Sequence, residues 1–468
     1  MKTNKEYFRL VFTVWIVLIF LMGPTFLNEI NTKLNENSIQ LHNSSALTEL
    51  TFYTWGGSGS EDAYDIATDS SNNSYVVGCT NSFGAGDYDF CLIKFNSSGV
   101  EWNRTFGGIY SDRGNSIVLD SFDNIYITGY TKSFGAGDSD IWVLKINSTG
   151  VLEWNHTWGG IYDESGQSIA IDSLNNVYVT GYTSSFGEGG LDMCLVKFNS
   201  SGVVWNHTCG GSDKDQGFGV TLDQLGNAYV VGDTKSFGTG KTDIYLVKFN
   251  SSGMIWNYTW GCVEDDHGRE IIYNPSGDLY VAGHYDQPPN CYTPPDIGPI
   301  HQALGLIKFN SEGIYQWNST WKEGYLDYSY GMVMDSSGNA YIAGYTLTDF
   351  MGDYDWCLVR FNSSGVADWS CTWGTAESES CRGVVLGSNG TALATGYKLG
   401  YGGSGSDICV VQFLIGQCPV PEITNGMEIP SYDMGILVGI IFVVNIYVLK
   451  KRLYHNKERK WQTSNLKS

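Results

Sequence analysis

Seven acidic residues recur at one place in a repeating sequence: Glu61, Asp112, Glu164, Asp215, Asp266, Asp327 and Glu379. Each stands a fixed interval before a second column made of Asp69, Asp120, Asp172, Asp223, Asn274, Asp335 and Gly387. Carboxylates gathered in this way suit a divalent cation, calcium in particular, because hard cations take several oxygen ligands. Without a cation, like charges brought together must be satisfied by water or backbone donors. The column therefore admits two readings, a ring of cation ligands or seven caps on local backbone N–H groups. A second cluster lies in the fifth repeat, where His284, Asp286, Cys291, Asp296 and His301 share a proline-rich loop longer than its counterparts. A rigid extra loop on a repetitive scaffold is a natural place for specificity. The sequence shows no Ser/His/Asp set, no His-Glu-x-x-His and no phosphate loop, so it is read as that of a non-enzyme.

A tandem repeat would position these residues. Tryptophan or its equivalent followed by glycine recurs at Gly56, Gly107, Gly159, Gly210, Gly261 and Gly374, with Lys322 in the remaining slot. Seven units result, each with the length and pattern of a four-stranded propeller blade. In the second unit the strands are expected at 116–119, 125–130, 141–146 and 152–157, separated by turn formers such as Asp120-Ser-Phe-Asp-Asn. Runs such as Ile141-Trp-Val-Leu are apolar on both faces and suit a sheet buried between two others. Abundant glycine (58), tyrosine (30) and tryptophan (15), with only 16% charged residues, agree with short strands and tight turns. The seventh unit lacks its Trp-Asn-x-Thr strand, and the missing piece stands before the first unit as Leu50-Thr-Phe-Tyr-Thr-Trp55. Residues 48–413 are therefore expected to form an all-β, seven-bladed β-propeller with four antiparallel strands per blade. Pairing of 50–55 beside 408–413 would close the ring and remove an open sheet edge. In such a ring the acidic column would crowd one mouth of the central channel.

The residues Trp154-Asn-His-Thr-Trp-Gly-Gly160, Ile169-Ala-Ile-Asp, Val177-Tyr-Val-Thr-Gly-Tyr-Thr183 and Asp192-Met-Cys-Leu-Val-Lys-Phe resemble the SBBP-type β-propeller repeat of bacterial and archaeal surface proteins. The resemblance runs through all seven units and implies the propeller, but it implies little about activity. The fifth unit departs from the pattern between Gly283 and Gly305, and the sixth has Lys322-Glu-Gly in place of Gly-Gly.

Both chain ends carry membrane signals. Lys2, Lys5 and Arg9 precede an apolar run, the order of a secretory signal, so 1–27 is read as an export signal or signal anchor and 28–47 as a polar linker. After a linker at 414–433, the run 434–449 is apolar apart from Asn445 and is followed at once by Lys450, Lys451 and Arg452. It is read as a transmembrane helix with 450–468 as a basic cytoplasmic tail and the propeller outside. The segment between the two ends carries a net charge of roughly −30, which repels nucleic acid and favours cations or basic partners.

Eleven cysteines form no CxxC pattern. Cys91, Cys194, Cys357 and Cys409 share one apolar strand position and are expected to pack as free thiols, whereas Cys262 and Cys291 are expected to form a disulfide. Asn-x-Ser/Thr sites open to glycosylation include Asn43 in the linker and Asn96, Asn147, Asn199, Asn250 and Asn362 in a repeating turn. With a single span, these sites look more archaeal than bacterial. The turn from Phe95 to Trp102 has the spacing of a sialidase Asp-box, but Ser97 replaces the aspartate and arginines are too few for a carboxylate-binding cluster. The expected function is a membrane-anchored cell-surface binding, adhesion or recognition module for a surface protein or glycan. A structural cell-envelope component and a propeller hydrolase or lyase are the alternatives.

Overall fold

A computed structural model describes residues 52–285, 302–324, 326–347, 354–374, 378–387, 390–399 and 405–416. They form seven four-stranded antiparallel sheets. In the first blade Glu61–Thr68 is the inner strand, followed outward by Ser74–Thr80, Asp89–Asn96 and Gly99–Phe106. The next five blades repeat this order. In the seventh, Glu379–Gly387, Thr391–Leu399 and Ser406–Leu414 are joined by Phe52–Trp55 from the other end of the chain. Phe52 pairs with Val411 and Trp55 with Ile408, so the expected closure is found.

The inner strands begin earlier than the apolar pattern suggests. In the second blade the strand runs from Asp112 to Leu119, and Asp112, Arg113 and Gly114 pair with Thr131, Tyr130 and Gly129. The polar run Asp-Arg-Gly-Asn gives no apolar signal, but backbone pairing does not need one. A β-bulge falls at Asn115, and the inner strands of the other blades shift register at the same point, at Tyr64, Gln167, Phe218, Arg269 and Arg382 among others. A bulge re-aims a side chain. Here it turns one residue of each of these blades toward the central axis, where all six line a common cavity.

The second and third strands are buried on both faces, as their sequence predicts; every residue of Ser74–Thr80 is buried. Tyr75, Val77, Phe90 and Leu92 of the first blade pack against Ile117, Ile127, Trp142 and Leu144 of the second. The seventh blade meets the first through Ile408 and Val410 against Ile66, Val76 and Cys91. Cys91, Cys194, Cys357 and Cys409 are free and buried in these layers. On the rim, Trp102, Trp154 and Trp205 of the outer strands contact Tyr75, Tyr126 and Tyr178, and Lys94, Lys145 and Lys197 lie over the same tyrosine rings.

The export signal expected at 1–27, the linkers, the helix expected at 434–449 and the tail lie outside the described residues. Among the described residues no helix is long and apolar enough to cross a membrane. Because the seventh blade borrows its outer strand, deleting 48–55 is expected to lower hydrogen-exchange protection in all seven blades. Loss confined to the seventh blade would show that closure does not hold the ring together.

Candidate functional site: the central channel

The acidic column does not ring the channel. All seven carboxylates are buried, and none lines the cavity on the axis. Six of them, from Glu61 to Asp327, turn back into the loops at the heads of their own strands. Glu61 accepts hydrogen bonds from the Gly57 N–H at 2.7 Å, the Thr80 hydroxyl at 2.8 Å and the Ser82 N–H at 3.2 Å. Glu164 repeats the set with Gly160, Thr183 and Ser185 at 2.6, 2.7 and 2.9 Å. Asp112 takes the N–H groups of Gly108 and Ser133 and the Thr131 hydroxyl, and Asp215 takes the Gly211 N–H and the Thr234 hydroxyl. Asp266 accepts from the Cys262 N–H and Asp327 from the Thr346 hydroxyl. One carboxylate thus ties the strand arriving from the preceding blade to the end of the second strand in its own blade. Of the two sequence readings, these contacts are those of backbone caps. Among the described residues no group of three or more His, Cys, Asp or Glu is arranged to hold a metal ion.

In the first four blades a second carboxylate, Asp89, Asp140, Asp192 or Asp243, heads the third strand. Asp89 accepts from the N–H groups of Ala85 and Gly86 at 2.8 and 3.3 Å, holding the Ser-Phe-Gly-x-Gly loop; Asp140 does the same with Ala136 and Gly137. Burial raises the Asp89 carboxyl above its usual value, with Asp112 adding repulsion. The same causes lift Asp192, beside Asp215, to about 6. Gly107 is glycine because a Cβ there would run into Asp89 Oδ1 and press on Asp112 Oδ2.

The remaining sequence candidates disperse. His284 closes the second strand of the fifth blade (Asp278–Tyr285) instead of lying in the long loop, and is buried against Tyr328 and His267. Burial, reinforced by Arg269 and His267, pushes its pKa well below the ordinary range, so it is neutral. Asp286, Asp296 and His301 lie outside the described residues. Cys262 is disulfide-bonded, as is Cys371; Cys291, the partner expected for Cys262, lies outside the described residues. Asn96, Asn147, Asn199, Asn250 and Asn362 each use Oδ1 to accept the backbone N–H two residues on, at 2.8–3.0 Å. This gives the turn its asparagine and leaves Nδ2 as the atom a glycan would take. Asn43 lies outside the described residues.

What converges is the channel, which sequence reasoning missed. A cavity of about 380 Å³ lies on the axis and is lined by residues from all seven inner strands. Three arginines reach it: Arg113, Arg269 and Arg382. Tyr64 lies between two of them, with Arg113 at 5.4 Å and Arg382 at 5.8 Å from its ring centre, and Arg382 also stacks on Tyr330 at 4.1 Å. Arg269 stacks on Phe218 at 4.4 Å. Its Nη1 lies 3.5 Å from Asp233, a carboxylate shared with His267, yet its Nε is buried with no partner, as is Nε of Arg113. Arg382 Nε donates to the Ser380 hydroxyl at 3.1 Å. Three of the chain's eight arginines therefore line one cavity, against the expectation that arginines are too few for such a cluster. A signal was present in the sequence. The column Tyr64, Asn115, Gln167, Phe218, Arg269, Tyr330, Arg382 varies in chemical type from unit to unit while its neighbours repeat.

Two carboxyls share the cavity with the arginines. Asp65 accepts from the Ser116 hydroxyl at 2.8 Å and the Ile117 N–H at 3.0 Å, bridging the first and second blades. Burial lifts it to about 6 against these hydrogen bonds. Glu270, half-buried in the cavity wall, is lifted to about 8 by burial, with Asp65 adding repulsion and the Ile271 N–H opposing. It is protonated at neutral pH.

Asp215→Asn is expected to cost about 1–3 kcal/mol, since a buried acceptor becomes partly a donor facing N–H and O–H groups. Calcium should leave the melting temperature of parent and variant unchanged; a calcium-dependent rise abolished by the substitution would restore the cation reading. For Glu270 the folded carboxyl holds its proton more tightly than the unfolded one. Stability therefore falls as pH rises from 4.5 through 8, by about 1.4 kcal/mol per unit at most. Glu270→Gln should flatten the upper part of that window and exceed the parent in stability at alkaline pH. Urea midpoints measured across the window check this, and parallel curves would contradict it.

Known proteins were compared with this geometry. The SBBP β-propeller repeat matches residues 101–135, 159–187, 209–238 and 323–350. Among curated proteins, the regulatory protein FlaEY of Caulobacter vibrioides is 24% identical over 207 residues, 38% of this chain and 22% of its own length. The chain thus spans about a fifth of that relative. The β-propeller domain of the Trilobed protease from Pyrococcus furiosus is 7% identical, covers 79% of this chain and 99% of its own, and has a TM-score of 0.43. Polysaccharide lyase Uly1 is 10% identical over 80% of this chain and 94% of its own, also at 0.43. Sqt1 from Chaetomium thermophilum is 12% identical over 79% of this chain and 100% of its own, at 0.42. The chain thus carries the SBBP β-propeller repeat in four places, within a ring whose seven blades are built on one plan.

Proposed function

We propose that the protein is a recognition module of the cell surface, exported by its N-terminal segment, held by the helix expected at 434–449, and binding its ligand in the central channel. One observation carries the choice of site. Six of the blades spend the same bulge position on five different kinds of side chain, arginine alone occurring twice, and all six line one cavity, whereas the buried positions around it repeat. Packing alone favours repetition in a ring of equivalent blades. A cavity lined by a few convergent charged, aromatic and amide groups is the usual form of a small-ligand site. Surface location rests on the charged-then-apolar start, the apolar run with its basic flank, and the turn asparagines available to glycans.

A hydrolytic reading is favoured by one feature only, the two half-buried carboxyls Asp65 and Glu270 held in the same cavity with proton affinities raised to different extents. Such a division suits an acid and a base. Product analysis after incubation with a bound glycan separates the two: binding without turnover supports recognition.

Two measurements test the proposal. Protease treatment of intact cells is expected to release propeller fragments while an epitope on residues 450–468 stays with the cell. On a glycan array, Asn115→Trp combined with Gln167→Trp should weaken capture by the full chain about tenfold or more by filling the channel. Capture unaffected by these substitutions would place recognition elsewhere on the propeller.

A further inference from the structure

We propose that the channel takes a carboxylate-bearing sugar, its carboxylate met by the guanidinium groups of Arg113, Arg269 and Arg382 and its ring by the aromatic faces between them. This rests on the channel being the recognition site. Three features of the cavity argue for an anion, and three for a sugar.

The first is unmet hydrogen bonding. Nε of Arg113 and Nε of Arg269 are buried without an acceptor, although buried guanidinium N–H groups left unpaired are costly. The second is the lack of a contact ion pair at two of the three arginines, with Asp62 acting on Arg113 only at longer range and Arg269 sharing Asp233. Among the described residues neither Arg113 nor Arg382 forms an ion pair with a carboxylate, although exposed Arg360 does so with Asp368 at 2.7 Å. Both instead lie over Tyr64, and Arg382 over Tyr330. A guanidinium stacked on a ring keeps its in-plane N–H groups for a planar carboxylate. The third is the local balance of charge. In a chain whose net charge is −22, the cavity holds three arginines against Asp65 and Glu270. The raised proton affinity of Glu270 leaves that side chain neutral at neutral pH, so it does not repel an arriving anion.

The sugar follows from the rest of the lining. Asn115, Gln167, Ser165 and Ser168 are neutral donors and acceptors, matched to hydroxyl groups. Tyr64, Tyr330 and Phe218 offer flat apolar faces beside the guanidiniums. A cavity of about 380 Å³ admits one or two sugar rings and excludes a folded partner. The widely shared acid column offers nothing to such a ligand, since its carboxylates are already consumed by the loops.

Isothermal titration of the full chain in detergent with three probes provides the test: sodium glucuronate, methyl glucoside and glucose 6-sulfate. Glucuronate is expected to bind at least about tenfold more tightly than methyl glucoside, and added salt should weaken it. Arg113→Gln and Arg269→Gln should each lower glucuronate affinity about tenfold, and Arg113→Lys, which keeps the charge, should lower it less. Circular dichroism on each variant confirms that it folds, and the lysine variant carries the test if a glutamine variant does not. Equal binding of glucuronate and methyl glucoside would overturn the anion inference while leaving channel recognition intact. Preference for the sulfate would overturn the carboxylate assignment alone. Binding of none of the three would remove both this inference and the channel reading, whereas array capture with none of the three bound would place recognition outside the channel.

Discussion

The rest of the propeller depends on one buried carboxylate at the head of each inner strand. Removing a charge from water costs several kcal/mol unless its oxygens are fully engaged. In the first four blades and the sixth it is engaged by donors from two directions, the loop arriving from the preceding blade and the end of the second strand. Hydrogen bonds to an ionised acceptor are about twice as strong as neutral ones. Several features of the repeat follow from that arrangement. In the first four blades the threonine that ends the second strand supplies a hydroxyl and the glycine before the inner strand makes room for two carboxylates, and in the first three the serine of the Ser-Phe-Gly loop supplies a further N–H. The seven charges do not repel as a ring, because each is enclosed in its own junction.

Fixing the junctions frees the axis. Blades tied at their heads and packed through Phe90, Trp142 and their counterparts leave the bulge residue of the inner strand outside the apolar layers, where Asn115 bridges to the Gly166 carbonyl of the next blade and the other side chains differ in type. That position can be arginine in one blade, tyrosine in another and glutamine in a third without disturbing the ring. Chemical variety therefore accumulates where the seven strands face one another, which is also where a small ligand would touch several blades at once. Stacking of Arg382 on Tyr330 and of Arg269 on Phe218 gives the flexible cations defined positions.

Much of the fold was legible because repetition makes the sequence its own comparison. Unit length, turn chemistry and the displaced strand 50–55 fixed blade number and closure, and the apolar runs located the second and third strands. The start of each inner strand was not legible, since Asp-Arg-Gly-Asn reads as loop until its backbone partners Thr131 and Tyr130 are known. The site was misjudged for a physical reason. The most regular feature of the repeat is its acidic column, and regularity is the mark of a structural duty. Arg113, Arg269 and Arg382 lie far apart in sequence and at two different strand positions, so only the closed ring brings them together.

Anomalous diffraction from crystals grown with both bromide and calcium tests the division of labour most directly. A bromide peak against Arg113 or Arg269 in the channel, with no calcium at Glu61, Asp112 or their equivalents, is the expected result. Calcium bound along the acidic column, with no anion in the channel, would contradict it.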